Sequence, residues 1–594
     1  MYFNLKYKVM NIKNIVLMVL VAMTFSSCKK FLDLDPVDKL TPEQAFSTEN
    51  NLQLYANSFY INALPDGPGI YQADVMTDIT VPNTVPNYIS GKLNVQDVGA
   101  WSFGALRNIN YFLENYNNNP AIPIKARNHF AGIARFFRAY FYFQQVKQYG
   151  DMPWYNKTLG INDPDLYKGR DPRSLVMDSV LADINFAINN IYTTKDNSAT
   201  QVTSWVALAL KSRICLFEGT FRKYHSEAKL IGTANTWLEE SAAAADLLIK
   251  SGQYKLQTGT DATRDYRSLF ISENPVSTEV LLAAVYNNSL KKWHNAAWWF
   301  NSATLGARLG LDKSFINTYL NLDGSRFTDD ESYKTMEFQN EVKNRDRRLQ
   351  QTIRMGNYKR TDGSPAPPDF TVTYSGYQIQ KFSLDDKYFD TRTESYNSVP
   401  IMRYAEVLLN YAEAKAELGA LGQADWSLTI GALRKRAGIA NADMMPSSAD
   451  SYLRTNFYPT ISDPLILEVR RERGIELAVE GFRYDDLKRW KAGKNLERQY
   501  TGIYIPGKDQ LLDLNEDGKP DVSFVDKVPT AKVPGVTYFV LDNNTSKLSE
   551  GTKGNLLWLS TTKKMYEDKQ YLYPISPNEI LLNPNLKQNP LWQQ

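Results

Sequence analysis

His129, His225 and His294 with Cys28 and Cys215 are all the histidines and cysteines in 594 residues, so the usual side chains of nucleophilic and metal chemistry are scarce. Two cysteines 187 positions apart make no disulfide framework, and the spacing matches no Cys/His zinc cluster. The histidines are far apart in sequence, with no Gly-x-Ser-x-Gly turn nearby, so a Ser-His-Asp group would have to assemble entirely in space. Cys215 lies in the apolar helical run Ser204 to Phe217 and reads as a small buried hydrophobe. Sixty-five acidic residues leave paired carboxylates for glycosidic hydrolysis open in principle, but no spacing singles out a pair. One segment has a mechanism written in its spacing. Asp513, Asn515, Asp517 and Asp521 stand at loop positions 1, 3, 5 and 9 with Gly518 at 6, the pattern of a calcium loop. It departs at position 12, where Phe524 replaces the bidentate Glu, and such clusters also make good turns.

The N-terminus points to an address. Lys13 and Lys29 bracket an uncharged stretch whose apolar part, Ile15 to Phe25, has the length of a signal h-region and is too short to cross a bilayer. Phe25-Ser26-Ser27-Cys28 resembles the lipobox of bacterial lipoproteins, with Phe25 in place of the usual Leu. The expectation is a signal peptide at 1–27, translated from Met1 or Met10, and a mature chain 28–594 acylated on Cys28. No second apolar stretch of about 18 residues follows, so the reading is anchored to a membrane without crossing it. Removing the first 27 residues takes away three lysines and leaves 65 basic against 65 acidic residues. That balance argues against nucleic acid, whose binding gains from a basic excess.

The elements that must position any site are mostly α-helical. Arg127 to Gly150 carries Phe130, Ala134, Phe137 and Phe141 at helical spacing and stops at Gly150 before Pro153. Asp171-Pro172 opens a helix to about Ile191. Ser204 to Gly219 with Trp237 to Gly252, and Arg403 to Gly419 with Ala424 to Ala437, form further pairs, and Asp463-Pro464 opens one long helix through Trp490. Helix pairs of this length, Ala-rich on one face, predict a tetratricopeptide-like scaffold with an irregular period, over about 28–252 and 401–499. Residues 253–400 and 500–570 lack helical periodicity. They hold short strand-like runs, Val280 to Tyr286 and Val536 to Leu541, and read as large loop and short-strand insertions, the usual place for binding.

Several motifs occur in order along this scaffold: Cys28 to Pro36 (CKKFLDLDP), Ala134 to Phe143 (ARFFRAYFYF) running to Tyr149-Gly150-Asp151-Met152-Pro153, and Asn344 to Arg348 (NRDRR). Arg403 to Ala414 (RYAEVLLNYAEA), Arg471 to Trp490 (RERGIELAVEGFRYDDLKRW), and Tyr573 to Glu579 (YPISPNE) with Asn583-Pro584 and Gln588-Asn589-Pro590 complete the set. Together they resemble the SusD/RagB-type outer-membrane lipoproteins over essentially the whole mature chain. The resemblance implies a surface-exposed helical lipoprotein that captures oligosaccharides, works with a SusC-like TonB-dependent transporter, and does no chemistry on its ligand. No cofactor is required. A peptide-capturing lipoprotein of the same fold is the alternative. Arg403, Glu406, Glu413, Arg471, Glu476, Glu480 and Arg483 have spacings suited to ion pairs within the scaffold.

If the ligand is a sugar, flat aromatic faces edged by amide, carboxylate or Arg groups would hold it. Trp293, Trp298 and Trp299, interleaved with His294, Asn295 and Asn301, are the densest such group outside the helices; they serve either as a platform or as a plug onto the scaffold. If the segment is extended, Trp298 and Trp299 should face opposite ways. A second candidate is Tyr71 to Tyr88, where Asp74, Asp78, Asn83 and Asn87 lie between the two tyrosines.

Overall fold

The computed structural model describes residues 42–593 apart from 62, 260, 305 and 357. The lipobox reading and Cys28 therefore lie outside the described residues. The Ile124–Tyr149 and Arg173–Asn190 helices pack as one pair, and Ser204–Tyr224 with Ala234–Lys250 as the next. Tyr404–Glu417 then lies against Ala234–Lys250, Ser204–Tyr224 and Pro464–Glu476. One apolar core, from Phe46 to Ile575, runs through scaffold and insertions alike, and Cys215 is buried in it. The insertions add small sheets: Val280–Ala284 antiparallel to Val399–Arg403, Tyr500–Ile505 with Gly554–Trp558 and Ser546–Leu548, and Leu511–Leu512 with Val522–Val525 and Thr537–Val540. Among the described residues, no helix is long and apolar enough to cross a membrane.

Three helix boundaries differ from the sequence expectation. Gly219 does not stop its helix, which continues to Tyr224; a Cβ there would lie 2.8 Å from the Leu238 side chain and 3.0 Å from its backbone nitrogen. The glycine lets the two helices approach closely at this point. Ala424 to Ala437 divides at Thr429 into Gln423–Leu428 and Ile430–Arg436. The expected long helix from Pro464 ends at Glu476 and resumes at Arg483. Its interruption has a visible cause. The Glu476 carbonyl accepts from Tyr266 Oη at 2.6 Å and Arg403 Nη2 at 2.7 Å, and the Ala478 carbonyl accepts from Lys381 Nζ at 2.8 Å. Side chains thus occupy the carbonyls that the next turn would have used, and Val479 and Gly481 take φ of 64° and 79° to turn the chain.

The carboxylates and guanidiniums of the motifs meet around this break. Arg403 bonds Glu476 and Glu480, Arg436 bonds Glu279 and Glu476, and Arg348 bonds Asp346, Glu472 and Glu476. A second set joins Glu413 and Asp486 to Arg489, with Arg473 on Asp486. Arg213 holds Glu406, Arg471 holds Asp450, and Arg483 forks onto Asp78 at 2.7 and 2.8 Å. The motif residues are therefore scaffold, tying helices to insertions from the inside.

Candidate functional site

The tryptophan segment is a short helix, Ala296–Asn301, preceded by a tight knot of side chains. Burial pushes the His294 pKa down to about 4, so its imidazole is neutral. With Nε2 2.9 Å from the Asn397 carbonyl, the proton sits on Nε2 and leaves Nδ1 to accept from the Ala296 amide at 3.3 Å. Tyr71 Oη lies 3.4 Å from the same Nδ1 and donates to Asn295 Oδ1 at 2.5 Å. Two segments that the sequence offers as separate candidates thus meet, with Tyr71 under the start of the tryptophan helix.

This contact also corrects the site assignment. Tyr71 is fully buried, so it supports the helix from beneath and presents no face to a ligand. Asp74 is also fully buried; its Oδ2 accepts the Gly481 amide at 3.3 Å and its carbonyl accepts from Thr77 and Thr80 hydroxyls. Tyr88 packs among Tyr484, Tyr566 and Tyr573, and its hydroxyl donates to the Gln570 carbonyl. All three positions are covered by protein, which takes them out of the reach of a surface ligand.

The tryptophans divide differently from an extended strand. Successive helical residues differ by about 100° in direction. Both indoles are half-buried, but Trp299 packs against the main core, with an Nε1 that has no hydrogen-bond partner, whereas Trp298 stands outside that core contact. Trp293 is also half-exposed, with Nε1 donating to Asn288 Oδ1 at 3.1 Å. Asn295 is engaged by Tyr71 and, at 3.4 Å, by Gln72, so its amide fixes the knot. Asn301 Oδ1 accepts from Arg354 and Gln378 at 2.9 and 3.0 Å, holding the far end of the helix.

A neighbouring buried aromatic pair was not singled out in the sequence. The Ala307 amide bonds the Trp299 carbonyl, which brings the next residue, Arg308, to the same turn. Arg308 donates to Tyr374 Oη at 3.0 Å, and Tyr374 stacks on Trp558 with centroids 3.8 Å apart. Trp558 Nε1 donates to the Pro82 carbonyl at 2.9 Å. Tyr374 and Trp558 come from distant strands and turns, so no local spacing could announce the pair.

The Asp513–Asp521 loop is spent on itself. Asp513 accepts amides from Asn515, Asp517 and Gly518, Asp517 accepts from Lys519, and Asp521 accepts from Leu514 at 2.7 Å. Asn515 is largely buried and donates to Asp517 at 3.4 Å. Among the described residues no group of three or more His, Cys, Asp or Glu is arranged to hold a metal, and the loop carboxylates cap their own turn. The other polar candidates for chemistry are likewise structural. His129 stacks on Tyr192 at 3.7 Å, His225 stacks on Phe221 and bonds the Lys488 carbonyl, and burial pushes the Cys215 thiol far up. Of the candidate indoles, Trp293 and Trp298 are the two left partly exposed outside the main core.

Comparison with known proteins agrees with this architecture. The model of the SusD family matches residues 282–592, and a second model, described as starch-binding and associating with the outer membrane, matches 30–216. SusD-like protein P25 of Formosa agariphila is 24% identical over 233 residues, covering 35% of this chain and 44% of that protein. A SusD-like protein of Bacteroides fragilis superposes with a TM-score of 0.68 at 20% identity, covering 94% of this chain and 99% of that one. A SusD-like carbohydrate-binding protein of the same species gives 0.66 at 20% identity, covering 91% and 99%. The family models cover most of the chain in two consecutive stretches, and the fold is that of the solved relatives: the chain belongs to the SusD family.

Proposed function

We propose that this protein is a surface glycan-binding lipoprotein, anchored through Cys28, that captures oligosaccharides and passes them to a partner TonB-dependent outer-membrane transporter without altering them. The observation that carries the reading is the partly exposed Trp298 on a helix pinned at both ends, by Asn295 and by Asn301, with the Arg308 guanidinium on the turn that follows. An indole held rigidly loses little entropy on stacking against a sugar ring, and guanidinium and amide groups can fork onto adjacent hydroxyls. A barrel partner belongs to the proposal because the family model that matches residues 30–216 is described as starch-binding and associating with the outer membrane.

Affinity electrophoresis of the protein against a neutral glycan panel and a peptide pool tests the ligand class. Retardation by glycans is expected; retardation by peptides alone would replace the reading with peptide capture. Cys28→Ala should release the protein from the membrane fraction, and gentle detergent extraction of the parent should co-purify one TonB-dependent protein. Recovery of the lipoprotein alone, under conditions that keep other barrel complexes intact, would remove the partner from the proposal.

A further inference from the structure

Segments 263–272, 350–356, 358–361 and 380–385 form a recess that encloses about 780 Å³, the size of a small-molecule site. Four cationic residues line it, Arg264, Arg267, Lys359 and Arg360, against Asp385 as the one acid of the lining. Asp385 is already engaged, by Arg267 Nη2 at 2.7 Å and by Tyr358 Oη at 2.7 Å. Arg360 directs Nη2 to Asp390, but its Nη1 is buried without an acceptor, and Gln380 Oε1 on the same lining is buried without a donor. Behind the wall Arg354 is buried with Nε unpartnered, and burial together with the charge of Arg360 lowers its pKa to about 10. Arg264 and Lys359 are exposed. The positive charge of this recess exceeds what its one lining carboxylate neutralises, and the acceptor missing at Arg360 Nη1 is a cost that an oxyanion would remove.

We propose that this recess is a subsite for the acidic group, a carboxylate or a sulfate ester, of an anionic saccharide. The inference rests on the glycan-binding reading above and narrows its substrate class. Guanidinium forks match planar oxyanions in two-point contacts, and the half-buried Tyr358 ring beside Arg267 supplies an apolar edge for the sugar that carries the charge.

Isothermal titration of the whole protein with three probes of matched length tests it: a neutral gluco-oligosaccharide, an oligogalacturonide and a sulfated galactan oligosaccharide. One acidic probe should bind at least about tenfold tighter than the neutral one at low salt, with the preference shrinking as salt screens it. Which acidic probe wins distinguishes carboxylate from sulfate. The double variant Arg264→Gln/Lys359→Gln, altered only at exposed positions, should lose about tenfold or more in affinity for the acidic probe, with an unchanged melting temperature and unchanged neutral binding. Arg360→Gln, read per folded molecule, should lose it as well. Neutral binding without acidic preference, or a preference that survives the double variant, overturns the subsite and leaves the glycan reading standing. Failure of every saccharide to bind the parent protein overturns both.

Discussion

Arg403 closes on Glu480 with two hydrogen bonds of 2.7 Å, Nε to Oε2 and Nη2 to Oε1, across the gap where the Pro464–Glu476 helix stops. The same guanidinium donates to the Glu476 carbonyl, so one side chain both neutralises the break and keeps it open.

Arg403→Ala should therefore destabilise the fold by about 3–5 kcal/mol, because it strands buried Glu476 and Glu480 rather than merely losing a pair. Urea denaturation checks the loss. Glycan affinity per folded molecule should be unchanged, since the residue lies inside the scaffold.

Acid should attack the second charge cluster. Burial alone would raise the Glu413 pKa, but the charges and hydrogen bonds of Arg489, with Arg473 and Arg470 behind them, outweigh it and hold the carboxylate down at about 2. A depressed carboxylate contributes stability that is fully present above the unfolded value near 4.5 and is lost as pH falls toward 2. The melting temperature of the parent should drop steeply through that window, and Glu413→Gln, already less stable at pH 7, should show a flatter profile there.

Asp74 runs the other way. Burial lifts its pKa to about 7 against the opposing pull of the Gly481 amide and of Arg483 and Lys381, so the native state holds a proton that the unfolded chain has released. Stability from this group is greatest below pH 4 and declines by about 1.4 kcal/mol per unit as pH rises toward 7. Asp74→Asn keeps an oxygen for the Gly481 amide and removes the decline, so it should melt higher than the parent at pH 8 and close to it at pH 4. Equal melting at both values would show that Asp74 is ionised without penalty.

The tryptophans should separate by role. Trp299→Ala should cost about 3 kcal/mol of stability, as truncation of a core-packed aromatic does. Trp298→Ala and Trp293→Ala should leave the melting temperature near the parent and lower glycan affinity roughly ten- to a hundredfold. A stability loss in all three with unchanged affinity would end the platform reading.

For the 513–521 loop, Asp513→Ala removes the acceptor of three amides and should lower stability by about 1–2 kcal/mol. The parent should melt at the same temperature in calcium and in EDTA. A rise with millimolar calcium would restore the cation to this loop.

The helical scaffold was legible because its signals are local: Asp463 before Pro464 caps the helix it opens, and the apolar spacing from Phe130 to Phe141 needs no knowledge of the partner. Helix ends that depend on distant side chains were not. Nothing near Glu476 in sequence reveals that Tyr266, Lys381 and Arg403 will claim the carbonyls beyond it. The site shows the same division. The density of indoles at 293–299 drew notice to the segment, but which of them packs on the core follows from a helix turn braced by Tyr71, more than 200 residues away. Tyr71, Asp74 and Tyr88 drew notice by residue type, and type alone cannot tell a buried brace from an exposed contact.

The fork of Arg483 on Asp78 spans 405 positions, and the bond from Tyr88 to the Gln570 carbonyl spans 482. Asp78 and Tyr88 lie near the start of the described chain, and their partners lie in its last fifth. A ribosome or translocon delivering this chain from the N-terminus emits the first half of both contacts long before the second exists, so the early segments must wait with a buried-type carboxylate and an apolar tyrosine exposed. Closure of both contacts is therefore deferred until the last fifth of the described chain has been made, and pairing over such separations is the kind that slows folding.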